Sequence, residues 1–359
     1  MNLSRFTKKK VKRAEEHAPQ LSALQMRALE VPGVPSGGLG YHIYDQMQLD
    51  SMIQTCLNLK KLGVLAAPWS IQHDGSAEGK RRSEFVQQQF DLMDGSPHSI
   101  LYQAMDAFAK GWSVQEILWR PVGVQIHLQA VKSKDPSMFG LSLDAYGNLN
   151  QLTVQVPGMD RRAVHPAKFV MFAHRASYNM PKGKSDLDPV YLHWKNKQQM
   201  MAAWKLHLER YASPTILGKF KRGVTASEQA DVLGALRNLH QNTAIVFPEE
   251  IQIEPLAGSK ESNAAFGDAI DFHNREISRS ILGQTLTTDE GRRVGSLALG
   301  KVHLQVLLLQ LQSLRTQLAD LVMTEQIIKP LVQMNFGAGP IPKFVFDDLA
   351  VQSFVNGNI

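Results

Sequence analysis

Two periods of hydrophobic positions, one helical and one extended, alternate along this chain, and their changes divide it. Residues 42–66 carry apolar positions at helical spacing (Met47, Ile53, Leu57, Val64), and Pro68 ends the run, so one helix is predicted there. Two shorter helices follow over 82–93 and 98–110. The period then shortens. Val114, Ile117 and Trp119, and then the runs 122–131, 149–156 and 168–172, read as strands, with Gly147-Asn148 suited to a hairpin turn. Helices followed by short strands predict an α+β domain over residues 42–175.

A long helical stripe comes next. Asp188 can cap it, Pro189 suits its first turn, and Ser213-Pro214 stops it. Val190, Trp194, Met201, Trp204, Leu208 and Tyr211 share one face. At 1.5 Å per residue this helix is roughly 35 Å long. The segment PTILGKFKRG reads as a strand, and Thr225 with Glu228 forms a capping-box pattern that opens a helix to about His240. Short strands TAIVF and EIQIE surround Pro248, and a helix over 264–282 is closed by Gly283. QTLTTDEGRRVG has no period and reads as a loop, after which Ser296 starts the longest helix, running towards Pro330. No internal repeat is evident. Residues 1–40 read as a poorly ordered arm ending in the turn-rich VPGVPSGGLG.

Charge sharpens this picture. The chain has 359 residues and a net charge of +6, and residues 1–13 alone hold six basic groups and no acid. The neutral remainder is blocked: residues 160–222 carry 13 basic and 4 acidic groups, residues 248–290 carry 9 acidic and 3 basic ones. Such blocks suit either an unevenly decorated surface or paired basic and acidic faces near a polyanion. The single cysteine, Cys56, excludes a disulfide framework and a multi-cysteine zinc site, and fits a reducing compartment. The basic start lacks the apolar stretch of a secretory signal, and the most apolar run, 302–314, is too short to span a bilayer.

Common catalytic signatures are absent. Gly183-Lys184-Ser185 ends like a phosphate-binding loop, but Tyr178 stands where that loop needs glycine, and Gly79-Lys80 follows Gly75 one residue too closely. The twelve histidines include no pair three or four apart on one helical face. Asp186 and Asp188 read as a solvated acid and a helix cap rather than a cation site, and Cys56 as a small buried hydrophobe. No nucleophile elbow occurs. The tryptophans fall on helix stripes and strands, as core residues do.

The order of these parts is distinctive. DAFAKGWSVQEILWR (106–120), HWKNKQQMMAAWKLHLERYASPTILGKF (193–220), EISRSILGQTLTTDEGRRVGSLALGKVH (276–303) and LVQMNFG (331–337) resemble bacteriophage portal proteins of the Mu-like family. Gly111 to Trp119 matches that family's "Gly-aromatic-Ser-Val-x-Glu-Ile-x-Trp" strand, and Ser213 to Lys219 its "small-Pro-x-x-x-Gly-Lys" helix end. The run Ile281-Leu-Gly-Gln-Thr-Leu-Thr, followed by Gly295-Ser, is the most specific match.

The resemblance implies an α+β portal fold with an α/β wing, a helical stem, a small β-containing clip and a long C-terminal helix. On this mapping residues 1–41 are a basic arm, 42–187 the wing, 188–240 the stem with the clip at 213–225, and 241–283 a return to the wing. Residues 284–295 become a tunnel loop, and 296–359 the long helix and C-terminal segment. Portals of this kind usually continue well beyond Asn-Phe-Gly, whereas this chain ends 22 residues after Gly337, so a crown is expected to be absent or reduced.

Function follows from the same resemblance: a self-assembled ring, usually a dodecamer, at the capsid vertex, through which double-stranded DNA is packaged and ejected without sequence readout. The terminase large subunit, head-completion and tail connector proteins, and the major capsid and scaffold proteins are the implied partners. The implied location is the virion, with assembly in the host cytoplasm and no membrane role. Thr287, Thr288, Asp289, Glu290, Arg292 and Arg293 would face the DNA channel, and Lys219, Lys221 and Arg222 the motor. No catalytic, cofactor or metal site is expected, so the chain reads as a non-enzyme. A monomeric DNA-binding head-assembly adaptor and a head-associated nuclease or protease are the alternative readings.

Overall fold

The computed structural model describes residues 39–144, 149–177, 180–211, 216–220, 223, 225–239, 244–248, 260–285 and 297–347. The chain divides into two compact units, Met1–Pro189 with Ser280–Ile359, and Val190–Arg279. The arm up to residue 38, Gly147-Asn148 and EIQIE lie outside the described residues.

The first unit opens with two helices where the apolar stripe predicts one, α1 (Tyr41–Met47) and α2 (Ser51–Leu65). Asp50 makes the break. Its carboxylate accepts the N–H groups of Met52 at 3.0 Å and Ile53 at 3.3 Å, an N-cap that starts a new helix in mid-stripe. A short strand β1 (Trp69–Gln72), then α3 (Ala77–Leu92), α4 (Pro97–Ala104) and α5 (Ala107–Lys110) follow. Strands β2 (Trp112–Val122) and β3 (Gln125–Lys134) form a hairpin, β4 (Phe139–Leu143), β5 (Leu149–Val154) and β6 (Arg162–Val164) form a second sheet, and β7 (Phe169–Ala173) returns to the first. The order in the first sheet is β3-β2-β7, all antiparallel, with Val114 opposite both Lys134 and Met171. Trp112, Val114, Phe139, Leu152, Val154 and Phe169 join the two sheets in one core.

The second unit begins with α6 (Tyr191–Tyr211). Strand β8 (Ile216–Phe220), helix α7 (Ala226–Leu239) and strand β9 (Ala244–Pro248) follow, and β8 pairs parallel with β9, Ile216 opposite Ala244. Parallel neighbours need a crossover, and α7 supplies it, packed on both strands. The expected capping box is present: Thr225 N–H donates to Glu228 Oε2 at 2.9 Å, and Glu228 N–H to Thr225 Oγ1 at 3.4 Å. Helix α8 (Lys260–Leu282) runs opposite to α6, with His193 against His273 and His207 against Phe266. The sequence mapping joins 226–240 to the long helix as a pair, whereas in the structure α7 belongs with the two strands and α6 meets α8.

The chain ends in one continuous helical rod: α9 (Leu297–Gln317), a π-helical stretch Leu318–Ile328, and α10 (Lys329–Phe336). It runs past Pro330, where the sequence predicts its end. Proline lacks an N–H and clashes with the carbonyl four residues back in an α-helix. Here it follows a wide turn in which Lys329 N–H donates to Thr324 O, five residues back, so the proline sits in the opening turn of α10.

Two amides fix this rod across the first sheet. Gln326 Oε1 accepts Met171 N–H at 2.8 Å, and its Nε2 donates to Met171 O at 2.9 Å, pairing with the edge of β7 as a strand would. Asn335 does the same to Ile126 on the opposite edge, β3, at 2.9 Å in both directions. Strand β10 (Lys343–Phe346) then pairs with β1, and Phe344 N–H donates to Thr324 Oγ1 at 3.1 Å. Arg315 is buried and donates to the carbonyls of Val64 at 3.0 Å and Gly63 at 2.6 Å, which tie the end of α2 to α9. The buried Arg82 holds the chain after α10 through the carbonyls of Ala338 and Pro340.

Replacing Gln326 with leucine keeps the bulk of the side chain but leaves Met171 N–H and C=O without this partner. A loss of about 1 kcal/mol is expected, because these groups are half-buried and water can replace part of what the amide supplies. Urea unfolding measures it, and an unchanged midpoint would show that the amide does not hold the rod.

Candidate functional site

The loop singled out by sequence hangs between two well-placed ends. Gly283 follows α8 with φ 72°, a left-handed conformation suited to a helix C′ residue, and a Cβ there would lie 2.8 Å from Gln310 Nε2. The end of α8 therefore abuts the middle of α9. Gln310 is thirteen residues after Leu297, so α9 extends about 20 Å beyond that meeting point. Thr287, Thr288, Asp289, Glu290, Arg292 and Arg293 themselves lie outside the described residues.

The second candidate, the basic tip, belongs to the β8-α7-β9 element. Lys219 is on β8 opposite Phe247, while Lys221 and Arg222 lie outside the described residues. Gly223, at φ 104°, turns the chain towards the capping box of α7.

The basic block 160–222 is partly neutralised inside the fold. Asp186, expected to be solvated, is fully buried and gathers three partners: Lys60 Nζ at 2.5 Å, His174 Nε2 at 3.0 Å and Arg175 Nη1 at 3.1 Å. Its position is set by the backbone, since Asp186 N–H donates to Phe108 O at 2.8 Å and Lys184 N–H to His174 O at 2.7 Å. Gly183 makes this possible, because a side chain there would collide with the carbonyls of His174 and Gly111. Burial alone would raise the Asp186 carboxyl, but the His174 hydrogen bond and the Lys60 charge hold it below the usual range. Burial lowers both Lys60 and His174, with Asp186 opposing the shift.

His174 Nδ1 is buried without a hydrogen-bond partner among the described residues, which suits a neutral ring that carries its proton on Nε2. Asp188, expected as a helix cap, instead accepts the Tyr44 hydroxyl at 2.6 Å, and burial raises its pKa. Lys182 donates to Phe139 O at 3.0 Å and lies over the Trp112 ring. The exposed cations of the block include Arg161, Arg162, Lys168, Lys195 and Lys205.

Nothing in the described residues assembles chemistry. The sequence spacing hides one histidine pair, His193 and His273, with Nδ1 atoms 3.1 Å apart, yet no group of three or more potential metal ligands occurs among the described residues. A cavity of about 350 Å³ is lined by Asp106, Lys110, Trp112, Lys134 and Asp135. Its charges are engaged: Asp106 with Lys61, Lys110 with Asp45, Lys134 with Glu116, and Asp135 as the acceptor of Ser137 N–H. Among the described residues, no helix is long and apolar enough to cross a membrane.

The family model described as the portal protein of Mu bacteriophage matches residues 41–353. This chain belongs to the Mu portal protein family. The portal protein of Escherichia phage Mu is 27% identical to it over 314 residues, which cover 85% of this chain and 59% of that protein. The Mu-like prophage FluMu protein gp29 of Haemophilus influenzae is 25% identical over 313 residues, covering 84% of this chain and 59% of that one. The chain thus spans about 59% of the length of the curated relatives it matches.

Solved structures agree in fold. A chain in the virion of a native gene transfer agent particle superposes with a TM-score of 0.64 at 13% identity, covering 93% of this chain and 91% of that one. A chain from the neck of such a particle, computed with C12 symmetry, gives 0.57 at 14% identity, covering 84% and 83%. The expected α+β portal fold is the one observed.

The portal's buried cluster sets its acid stability. His174 and Asp186 both have pKa values lowered by folding, so the unfolded chain binds protons first as pH falls, and stability declines below the ordinary histidine range and again near the ordinary carboxylate range. The His174→Gln variant should lose the first of these two declines. Thermal melting at pH 7.5 and 5.5 tests this, and equal pH sensitivity in the two proteins would refute it.

Proposed function

We propose that this portal protein closes into a ring at one vertex of a phage capsid and that double-stranded DNA passes through it during packaging and ejection. The family match across residues 41–353 carries this reading. A ring joins unlike faces of successive subunits, and a channel for any sequence must avoid base readout and tight phosphate grip. The mixed-charge run Asp289-Glu290-Gly291-Arg292-Arg293 suits weak, mobile contact with passing DNA. Its attachment to a rod fastened across a sheet suits a loop that carries load.

In this reading the first unit is the wing, apposed to major capsid and scaffold proteins. Helices α6 and α8 are the stem, and β8-α7-β9 is the clip, where Lys219, Lys221 and Arg222 meet the terminase large subunit and later the head-completion and tail connector proteins. The protein assembles in the host cytoplasm and resides in the virion.

Negative-stain imaging and light scattering of the purified protein, with scaffold and capsid proteins co-expressed if needed, should give a cyclic species many times 40.0 kDa. A monomer under all these conditions would sink the reading. Once rings are confirmed for each variant, a packaging assay tests the two sites. Arg292→Ala with Arg293→Ala should alter DNA retention in a salt-dependent manner, as phosphate contacts do. Reversing the charges of Lys219, Lys221 and Arg222 should block packaging into otherwise normal heads. Normal packaging and retention in either variant would remove that site from the proposal.

A further inference from the structure

Helix α2 is turned inside out. Its only charged residues, Lys60 and Lys61, point inward and are 5% and 6% exposed, bound to Asp186 and Asp106. Its outward positions hold serine, glutamine, threonine, asparagine and two leucines, of which Leu62 is 59% exposed and Leu59 also faces out. Helix α9, which packs beside it through Arg315 and Leu311, has the same character. From Val302 to Gln317 the exposed face of α9 carries valine, leucine, serine, threonine and glutamine, while its one charge, Arg315, is buried. Val302, Val306 and Leu309 recur at spacings of four and three, forming one outward stripe opposite the buried Leu307, Leu311 and Leu314.

Solvated helices are normally decorated with charge, and α3 in the same unit exposes Lys80, Arg81, Glu84 and Asp91. Outer faces without charge on two adjoining helices, over residues 51–65 and 302–317, have the composition of an interface core, where charged residues are depleted. We propose that the α2–α9 face packs against the neighbouring copy of this chain in the assembled ring.

Charge and size select that occupant. Nucleic acid is disfavoured, because over residues 51–65 and 302–317 the face offers no exposed lysine or arginine to a phosphate backbone. Residues 51–65 and 302–317 span about 22 and 24 Å of helix, and side by side they present on the order of 500 Å². A standard interface buries about 800 Å² per partner, so this face supplies more than half of one side. A ring joins unlike surfaces, so the face needs no match to itself. The inference rests on the ring proposed above and adds which surface closes it.

Two measurements test it. The double variant Leu62→Asp, Leu309→Asp should keep the monomer's circular dichroism and melting temperature, since both side chains are exposed, and yield at least tenfold less ring at equal concentration. Leu309→Cys provides a gentler probe, because the single native cysteine, Cys56, is buried. Maleimide labelling of Cys-substituted protein should be at least tenfold slower in rings than in dissociated subunits. Rings of normal yield in the charged variant, or labelling as fast in rings as in monomers, would overturn the interface while leaving the ring intact. Protection appearing only in whole heads would assign the face to another capsid component and also overturn it. A wild-type chain that never forms rings would overturn both the ring and the interface.

Discussion

The first unit depends on two side-chain amides that fasten one helical rod across both edges of a three-stranded sheet. Gln326 pairs with β7, Asn335 with β3, and the eight residues between them carry the rod across β2. The arrangement pairs one residue on each strand edge, Met171 and Ile126, without adding a strand, and lays the rod along edges that would otherwise be open to another chain. The C-terminal elements of this unit are placed along that line. Thr324 receives β10, β10 closes on β1, and Arg315 draws α2 against the part of the rod that leads to residues 286–296. The rod thus runs from the sheet to Leu297 as one helical path, with the π stretch and Pro330 as its irregular points.

Electrostatics is handled in the same economical way. A single carboxylate, Asp186, holds Lys60, His174 and Arg175, and thereby keeps one cation, Lys60, inside the fold while Arg175 reaches it from the surface. Turning Lys60 and Lys61 inward leaves α2 with a neutral outer face, so the buried cluster and the proposed subunit contact are two sides of one helix. For a protein whose proposed task is to let a polyanion slide past, withdrawing cations from exposed helices also limits unwanted phosphate contact.

Much of the fold was legible because it is written in local pattern. The β-rich run from Trp112 onward, the Thr225–Glu228 box and the glycine after Leu282 each act within a few residues, and each is found in the structure. The misses have two sources, local signals that the apolar pattern masked and contacts distant in sequence. Asp50 splits a continuous apolar stripe because a cap outweighs the stripe's continuity, and β1 and β10 are four-residue strands that exist only because they find each other across 270 residues of chain. Asp186 looked solvated because nothing near it in sequence announces Lys60. Pro330 looked like a stop because the pattern does not reveal that the preceding turns are wide. The family resemblance, carried by the order of segments rather than by any one motif, identified the fold where periodicity could only give its class.

The π-helical stretch Leu318–Ile328 also has a meaning for the length of the rod. Wide turns hold more residues than α-turns, so this segment stores surplus chain inside an otherwise regular helix. Removing one residue there can be absorbed by tightening a wide turn to an α-turn, which leaves the helix continuous and its two ends in phase. Removing one from a regular turn at the end of α9 has no such outlet and rotates α9 relative to α10 by about 100°. The amide clamps would then stay on the sheet while the neutral face of α9 swung away from that of α2. The wide turns are therefore a phase buffer: they tolerate a change of residue count that the rest of the rod cannot.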